Sequence, residues 1–502
     1  MEIKNLKPRL YQEKIFHTTT KKNALVIIPT GLGKTLIALM LAVHRLKKFD
    51  GSKILFLAPT KPLCKQHHST FSKNLNSEKK LAILTGAINP DERKKVWDIS
   101  DIIFATPQTI ANDLINGRIK IENVSLMVFD EAHRAVGDYD YVFLAKDYIK
   151  KEKSKILALT ASPGSNREYI DNIRKNLYIN AVEIRHENSP DVSPYVEKRD
   201  IKKIFIDFPE NLKELKELFE ISLKKRLEIL KNEGITNTSD IQKIRKGDLL
   251  KLQSETASRA RQNGDFNLLK YVSEIAACIK ILHCLELLQT QGIKTLSKFF
   301  EKLKGQYYKV KATKGLLNDS NFRQAMKKTF ELEANGIEHP KFEKLPELID
   351  ENSKTIVFTN YRNTVNNIIN SLEKHSKIIP IKFIGQRKGM SQKEQIKTLE
   401  KFKRGNYNVL VSSSIGEEGL DIPEVKKVIF FEPIPSALRT IQRRGRTARR
   451  SPGEVVLLIT KDTIDEKYYW VSFHKERKMN NALKEIKKRI NNPQRRLGDF
   501  GK

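Results

Sequence analysis

The run Pro29-Thr30-Gly31-Leu32-Gly33-Lys34-Thr35 joins an apolar stretch ending at Ile28 to an apolar stretch opening at Leu36. Glycines let backbone N–H groups close on phosphate oxygens, and a helix that follows turns its N-terminal dipole toward them. Lys34 could then reach β- and γ-phosphates, and the Thr35 hydroxyl could hold Mg2+. The strict Gly-x4-Gly-Lys-Ser/Thr pattern is not met, because Ile28 stands at the first glycine position. Strand–loop–helix context carries the reading instead. A second candidate is Asp130-Glu131-Ala132-His133, directly after the apolar run Leu126–Phe129. Asp130 at a strand end could bind Mg2+ through water, and Glu131 could polarise an attacking water. A lone Asp-Glu pair is ordinarily a solvated loop; a sheet shared with Lys34 gives it a role. The third is Gln442-Arg443-Arg444-Gly445-Arg446-Thr447-Ala448-Arg449, with five arginines between 443 and 450. Alone it reads as a phosphate patch. Supplied across a cleft, an arginine stabilises charge gained by a γ-phosphate in the transition state, on the order of 10³–10⁵ in rate. Such a residue also ties domain closure to hydrolysis.

These groups need elements to position them. Short continuous apolar runs recur before residue 200: Ala24–Ile28, Ile54–Ala58, Ile102–Ala105, Leu126–Phe129 and Ile156–Leu159. Helix-like stretches separate them, the pattern of parallel strands buried on both faces. It returns at Thr355–Phe358, Val409–Val411, Val428–Phe431 and Val455–Ile459. Between the halves, Leu215, Phe219, Leu223, Leu227 and Leu230 fall at helical spacing, and residues 267–304 give a second helical run. Glu220 and Lys224 are an i,i+4 pair there. The fold expected is α/β, with two parallel-sheet domains at 1–208 and 341–480 and an all-helical domain inserted at 209–340. The basic stretch 481–502 reads as a disordered tail in preference to a nucleic-acid arm.

A length of 502 residues exceeds one core. The net charge of +33 favours a polyanionic partner, nucleic acid above all, although a Lys-rich thermophile or AT-rich-genome composition gives the same balance. Cys64, Cys278 and Cys284 form no CxxC pair, and His283 beside Cys284 reads as core. A reducing compartment without structural zinc or disulfides follows. No apolar leader or membrane-length run is present, so a soluble intracellular protein without a membrane partner is expected.

Read in order, Arg9-Leu-Tyr-Gln12, the glycine loop, Ala58-Pro59-Thr60-Lys61, Ala105-Thr106-Pro107-Gln108, Asp-Glu-Ala-His, Thr160-Ala161-Ser162-Pro163, Ile356 to Arg362, Ser412 to Asp421 and the arginine motif resemble the superfamily 2 helicase series. Phe383-Ile384-Gly385-Gln386, Gly416 to Pro423, Phe431 to Ser436 and Asp465 to Trp470 are similar to the archaeal Hef helicases, grouped with Fanconi anaemia M and Mph-type fork remodellers. That resemblance implies RecA-like domains, ATP and Mg2+, and 3′-to-5′ movement on DNA. It further implies forks and Holliday junctions as substrates, in a prokaryotic, archaeal cytoplasm. By position it implies adenine contact at Gln12 with Arg9 nearby. Thr30, Gly31, Gly33, Lys34 and Thr35 would hold the triphosphate, with Thr35 and Asp130 as the Mg2+ residues and Glu131 at the water. His133, Thr160 and Ser162 would couple ATP state to the DNA grip. Gly419 and Asp421 would meet the ribose, Gln442 would line the cleft, and Arg446 and Arg449 would be the fingers. Pro59, Thr60, Lys61, Thr106, Pro107, Gln108, Thr359, Arg362, Gly385, Gln386, Ser412 and Ser413 would contact the DNA backbone.

Ala448 replaces a glycine usual in the last motif. Glu476-Arg477-Lys478 lacks the acidic companions of an XPF-type nuclease and reads as helix-surface charge. A helicase module alone, truncated or nuclease-free, is therefore expected. Two readings compete. An RNA-directed enzyme of the RIG-I or Dicer type shares the split architecture, and the 2′-OH is the discriminator. A non-catalytic scaffold would have lost the lysine, the glutamate or the fingers, which are all present. In the insert, Lys302, Lys304, Lys309, Lys311 and Lys314 around Tyr307 and Tyr308 are candidate fork contacts, against a solvated face with two core aromatics.

Overall fold

The computed structural model describes residues 2–491 other than 5, 163, 165–166, 198, 386–388, 414–421, 445–446 and 448–451. The first sheet has seven parallel strands. They are β1 (Ala24–Ile27), β2 (Lys53–Leu57), β3 (Leu81–Leu84), β4 (Ile102–Ala105), β5 (Val124–Phe129), β6 (Ile156–Thr160) and β7 (Ala181–Ile184), in the order β3-β4-β2-β5-β6-β1-β7. Successive side chains point to opposite faces. Leu25, Ile27, Leu55, Leu57, Met127 and Phe129 therefore fill one core, and Val26, Ile28, Phe56 and Val128 fill the other. This double burial is why the central strands are continuous apolar runs.

The second sheet is also parallel: β8 (Arg199–Ile206), β9 (Thr355–Phe358), β10 (Pro380–Phe383), β11 (Val409–Ser412), β12 (Lys427–Phe430) and β13 (Gly453–Thr460), ordered β8-β13-β12-β9-β11-β10. Two expected boundaries need correction. β8 lies inside the stretch 1–208 yet pairs with β13 from Arg199↔Gly453 to Ile206↔Thr460, so the chain enters the second sheet before it enters the insert. The expected tail is not a tail from 481 to 491. The helix Ile464–Asn491 runs through it, and Met479, Leu483 and Ile486 are buried in the core of the first domain. Residues 492–502 lie outside the described part.

The regular elements of the insert are all helices, joined by connections such as 233–245. In the helix Glu210–Asn232, Leu215, Phe219, Leu223, Leu227 and Leu230 are fully buried, as their spacing predicts. Glu220 pairs with Lys216 at 3.7 Å rather than with Lys224. The single run expected over 267–304 breaks into Leu268–Thr290 and Ile293–Lys304. Gly292 makes the break: its φ is 94°, and a Cβ there would meet Glu338 Oε1. That carboxylate caps the new helix, accepting from the backbone N–H groups of Ile293 (2.6 Å) and Lys294 (3.1 Å).

A buried polar seam joins the insert to the second sheet. Gln291 Oε1 accepts from Thr364 Oγ1 at 2.6 Å and Thr359 Oγ1 at 3.3 Å, and Asn367 Nδ2 donates to Thr295 Oγ1 at 3.2 Å. The Ile464 N–H donates to Gln289 Oε1 at 2.8 Å. Nearby, the fully buried Lys341 and Asp465 form an ion pair. Cys64, Cys278 and Cys284 are buried thiols, and burial pushes Cys64 and Cys278 up to about 12. Among the described residues, no helix is long and apolar enough to cross a membrane and no His/Cys/Asp/Glu cluster could hold a metal ion.

Candidate nucleotide and nucleic-acid site

The phosphate loop leaves β1 at its carboxyl end. Ile28, at the missing glycine position, is fully buried in the core, and its N–H donates to Thr160 O at 3.3 Å. The turn is made by Gly31 (φ 84°) and Gly33 (φ 76°). A Cβ at Gly33 would stand 2.4 Å from Gln12 Nε2. Lys34 opens the helix Lys34–Lys48 with its ammonium on Ile28 O (3.2 Å) and Pro29 O (3.5 Å). The helix Leu10–Lys21 braces the loop: Tyr11 OH and Gln12 Nε2 donate to Leu32 O at 2.7 and 3.1 Å. Gln12 Oε1 accepts from Arg9 N at 2.8 Å. One amide hydrogen and one lone pair of Gln12 stay over for an adenine. The Arg9 guanidinium lies 4.7 Å above the Tyr195 ring, an aromatic neighbour that motif reading missed.

Asp130 and Glu131 leave β5 at the same edge. Asp130 Oδ2 lies 2.7 Å from His67 Nε2, and Thr35 Oγ1 lies 3.3 Å from His67 Nδ1. Burial alone would raise the Asp130 carboxyl; His67 and the Lys34 ammonium outweigh it and hold it below the usual range. Glu131 adopts a left-handed φ of 48°. Such a conformation costs a side-chain-bearing residue roughly 1–3 kcal/mol and persists where function requires it. Its Oε2 is 3.3 Å from His133 Nδ1 but receives no hydrogen bond, because Thr160 Oγ1 engages that nitrogen at 3.2 Å. A glycine cradle, hard oxygen donors at Thr35 and Asp130, and a buried carboxylate oxygen at Glu131 without a hydrogen-bond partner fit a Mg2+–triphosphate group.

The three expected coupling residues are brought together. Thr160 Oγ1 joins His133 to the backbone of Ser162, donating to Ser162 O at 3.1 Å, and Ser162 Oγ donates to Met479 Sδ at 3.0 Å. Met479 belongs to the helix anchored in the second domain by Asp465, so the chain of contacts crosses between domains. A cleft of 660 Å³ separates Thr30 and Ala161 from Arg444, with Met479 and Leu483 on its wall.

The arginine motif divides. Arg443 is fully buried, its guanidinium 5.0 Å above the Phe358 ring and bonded to Asn360 Oδ1 at 3.0 Å. Arg444 pairs with Glu476 at 3.1 Å. Both are structural, which narrows the patch of five. Glu476 is thereby an ion-pair partner, as its surface-charge reading expects. Gln442 lies on the helix Ala437–Arg444, but its side chain lies outside the described part, as do Gln386, Gly419, Asp421, Arg446 and Arg449.

Of the expected DNA residues, Pro59, Thr60 and Lys61 follow β2 half-buried at the start of the helix Lys61–Asn74. Thr106 and the exposed Gln108 follow β4, with Pro107 buried between them. Arg362 and Gly385 are half-buried beyond β9 and β10. Thr359 and Ser412 require correction. Both are fully buried; Thr359 Oγ1 is held between Gln291 and Glu432, and Ser412 Oγ donates to Ser413 O at 2.9 Å. Ser413 is buried as well. Their side chains stabilise the domain rather than face DNA.

Comparison with known proteins fits this geometry. The DEAD/DEAH box helicase model matches residues 9–170, and the helicase conserved C-terminal domain matches 340–451. A helical-bundle model named for ATP-dependent RNA helicases matches 211–336. The crystal structure of the Pyrococcus furiosus Hef helicase domain is 44% identical, with a TM-score of 0.74, covering 94% of this chain and 100% of that one. A Methanocaldococcus jannaschii protein named as an ATP-dependent RNA helicase is 41% identical over 96% of this chain and 61% of its own length. The Neurospora crassa ATP-dependent DNA helicase mph1 is 36% identical over 92% and 42%, and the mouse Fanconi anemia group M protein homolog 30% over 92% and 25%. The chain thus spans less than two thirds of the lengths of the Methanocaldococcus, Neurospora and mouse proteins. Loops, insert and second sheet align together with a solved helicase domain over its whole extent, and the chain belongs to the DEAD/DEAH-box helicases of the Hef, Mph1 and Fanconi anaemia M type.

Proposed function

We propose that the chain is the motor module of an enzyme that hydrolyses ATP to move 3′-to-5′ along DNA and remodels branched DNA, namely forks and Holliday junctions. The observation that carries the reading is the sorting of loops along the carboxyl edges of both sheets. In the first sheet the triphosphate loops follow β1, β5 and β6, and the DNA loops follow the neighbouring β2 and β4. In the second, the arginine helix follows β12, and the DNA candidates that remain, Arg362 and Gly385, lie beyond β9 and β10. Ligands of open parallel sheets lie beyond these edges. The loops expected to meet a nucleotide and those expected to meet a nucleic-acid backbone thus occupy neighbouring stretches of these edges, which supports the reading.

Mg2+ with ATP supplies a polarised γ-phosphate, and Thr35 and Asp130 would hold the ion. Lys34 would exchange the carbonyls of Ile28 and Pro29 for phosphate oxygens. Glu131 would orient water and accept its proton, while Arg446 and Arg449 would stabilise the charge from the second domain. His133, Thr160 and Ser162 would pass the change to Met479. The insert favours the branched-substrate reading: Lys302, Lys304, Lys309, Lys311 and Lys314 are exposed, and Tyr308 is 95% exposed at their centre. A core role for Tyr308 is thereby removed, although Lys304 also lies 4.2 Å over Phe330.

ATPase activity titrated against matched fork DNA, Holliday junctions, single-stranded DNA and duplex RNA tests the reading. Stronger stimulation by forks than by linear DNA or RNA is expected, with the fork advantage lost in a Tyr308→Ala, Lys309→Ala, Lys311→Ala variant. Preferential stimulation by duplex RNA would favour the RNA-directed reading. That reading is kept in view by the names of the Methanocaldococcus relative and the helical-bundle model, and by a grip built on phosphates rather than bases.

A further inference from the structure

His67 is 6% exposed on the helix Lys61–Asn74 and stands outside the motif series. Its Nε2–H donates to Asp130 Oδ2 at 2.7 Å, and its Nδ1 shares a hydrogen with Thr35 Oγ1 at 3.3 Å. One imidazole therefore touches, from behind, both groups expected to converge on one cation. Phe56 fixes the ring plane at 4.3 Å and 34°, and Phe71 of the same helix packs edge-on against Phe56 at 5.9 Å. A carboxylate has a second oxygen and a hydroxyl a second lone pair. Asp130 and Thr35 can thus hold His67 and a cation together.

We propose that His67 is a positioning residue that lets the DNA edge of the first domain sense the metal–nucleotide site. The inference rests on the ATP-driven DNA reading given above. The helix that carries His67 begins at Lys61, immediately after Pro59 and Thr60. Six residues at 1.5 Å each place His67 about 9 Å along one rigid element from that edge. The Thr60 hydroxyl at the helix start is buried without a hydrogen-bond partner, a group waiting for a ligand or a shift. Because Asp130 and Thr35 can keep His67 while they hold a cation, any shift they make on settling on it carries His67 and its helix along. Movement of the helix is movement of Thr60 and Lys61. This path is separate from the His133–Thr160–Ser162 chain, which leads to the other domain.

The test compares wild type with His67→Phe, which keeps the ring packing and removes both hydrogen bonds, and with His67→Gln, whose amide can remake them. Mn2+ affinity of the ADP-bound protein is read by electron paramagnetic resonance. The affinity of a fluorescein-labelled oligothymidine is read with and without ADP–beryllium fluoride. His67→Phe should weaken Mn2+ binding about tenfold or more, the usual scale for a residue that orients metal ligands. It should also bring the two oligothymidine affinities together, and His67→Gln should restore their difference at least in part. In wild type, amide exchange along 61–67 should change on adding Mn2+ and ADP–beryllium fluoride, a measurement that needs no variant. Unchanged exchange there, or a His67→Phe protein with wild-type Mn2+ affinity and nucleotide response, overturns the proposal. Failure of wild type to bind nucleotide at all would instead overturn the ATP reading on which it rests.

Discussion

The docking of the last helix on the first domain is a separable step, and Leu483→Ala isolates it. Leu483 is 2% exposed, packed with Met479 and Ile486 in the first domain's core. The same helix is rooted in the second domain by Asp465, paired with Lys341, and by the buried Tyr469. Truncating a buried leucine to alanine removes about 2–5 kcal/mol, transfer and cavity contributions together. At about 1.4 kcal/mol per tenfold, the docked-to-undocked ratio should fall by roughly 30-fold to several thousand-fold. Native-state amide exchange reads this directly, because protection reports local opening where it is cheaper than global unfolding. Protection at 479–486 should drop by that factor, while amides at 465–472 keep theirs. Uniform loss along the whole helix, or no loss at 479–486, would refute the claim that the two ends are held independently.

Other outcomes follow from the site. Glu131→Gln should abolish ATP hydrolysis while leaving DNA affinity unaltered; turnover like wild type in a coupled ATPase assay would remove Glu131 from its role. Gly33→Ala places a Cβ 2.4 Å from Gln12 Nε2 at a φ of 76°, so ATP affinity by calorimetry should fall at least tenfold, an amount of about 1.4 kcal/mol. Burial pushes the Glu432 carboxyl up to about 7 against Lys341 and Arg443, and its Oε2 has no hydrogen-bond partner. The folded state therefore keeps a proton that the unfolded chain releases from about 4.5 upward. Stability should fall as pH rises from about 4.5 to about 7 and level off above. In urea titrations across that range, Glu432→Gln should flatten the fall; an unaltered slope would show that Glu432 is ionised when folded.

The parts of the fold legible in the sequence are those with apolar atoms on every side. The central strands β1, β2, β4, β5 and β6, with β9, β11, β12 and β13, announce themselves as unbroken apolar runs. The four not read from the sequence, β3, β7, β8 and β10, are the four edges of the two sheets; β3 is apolar over Leu81–Leu84 but only partly buried. An edge strand needs little apolar surface; Arg199-Asp-Ile-Lys-Lys203 reads as surface charge and is nonetheless paired residue for residue. Lys34, Asp130 and Glu131 were visible because loop chemistry at strand ends is local. His67 was not, because nothing in the linear order says that the helix after β2 lies against β5. Thr359 was misjudged for a related reason: a threonine after a strand looks the same whether the insert covers it or solvent does.

The polar seam around Gln291 and Thr359 gives the insert a mechanical property. Fixed at one end, the helix Leu268–Thr290 extends about 34 Å at 1.5 Å per residue. A rotation of the second domain then sweeps its far end by about 0.6 Å per degree. Turning that domain by about six degrees moves the far end by about 3.4 Å, the spacing of one nucleotide along a strand. Carried with the rest of the insert, the Leu268 end of this helix would move by about a single-nucleotide distance when the domain at its root turns only slightly.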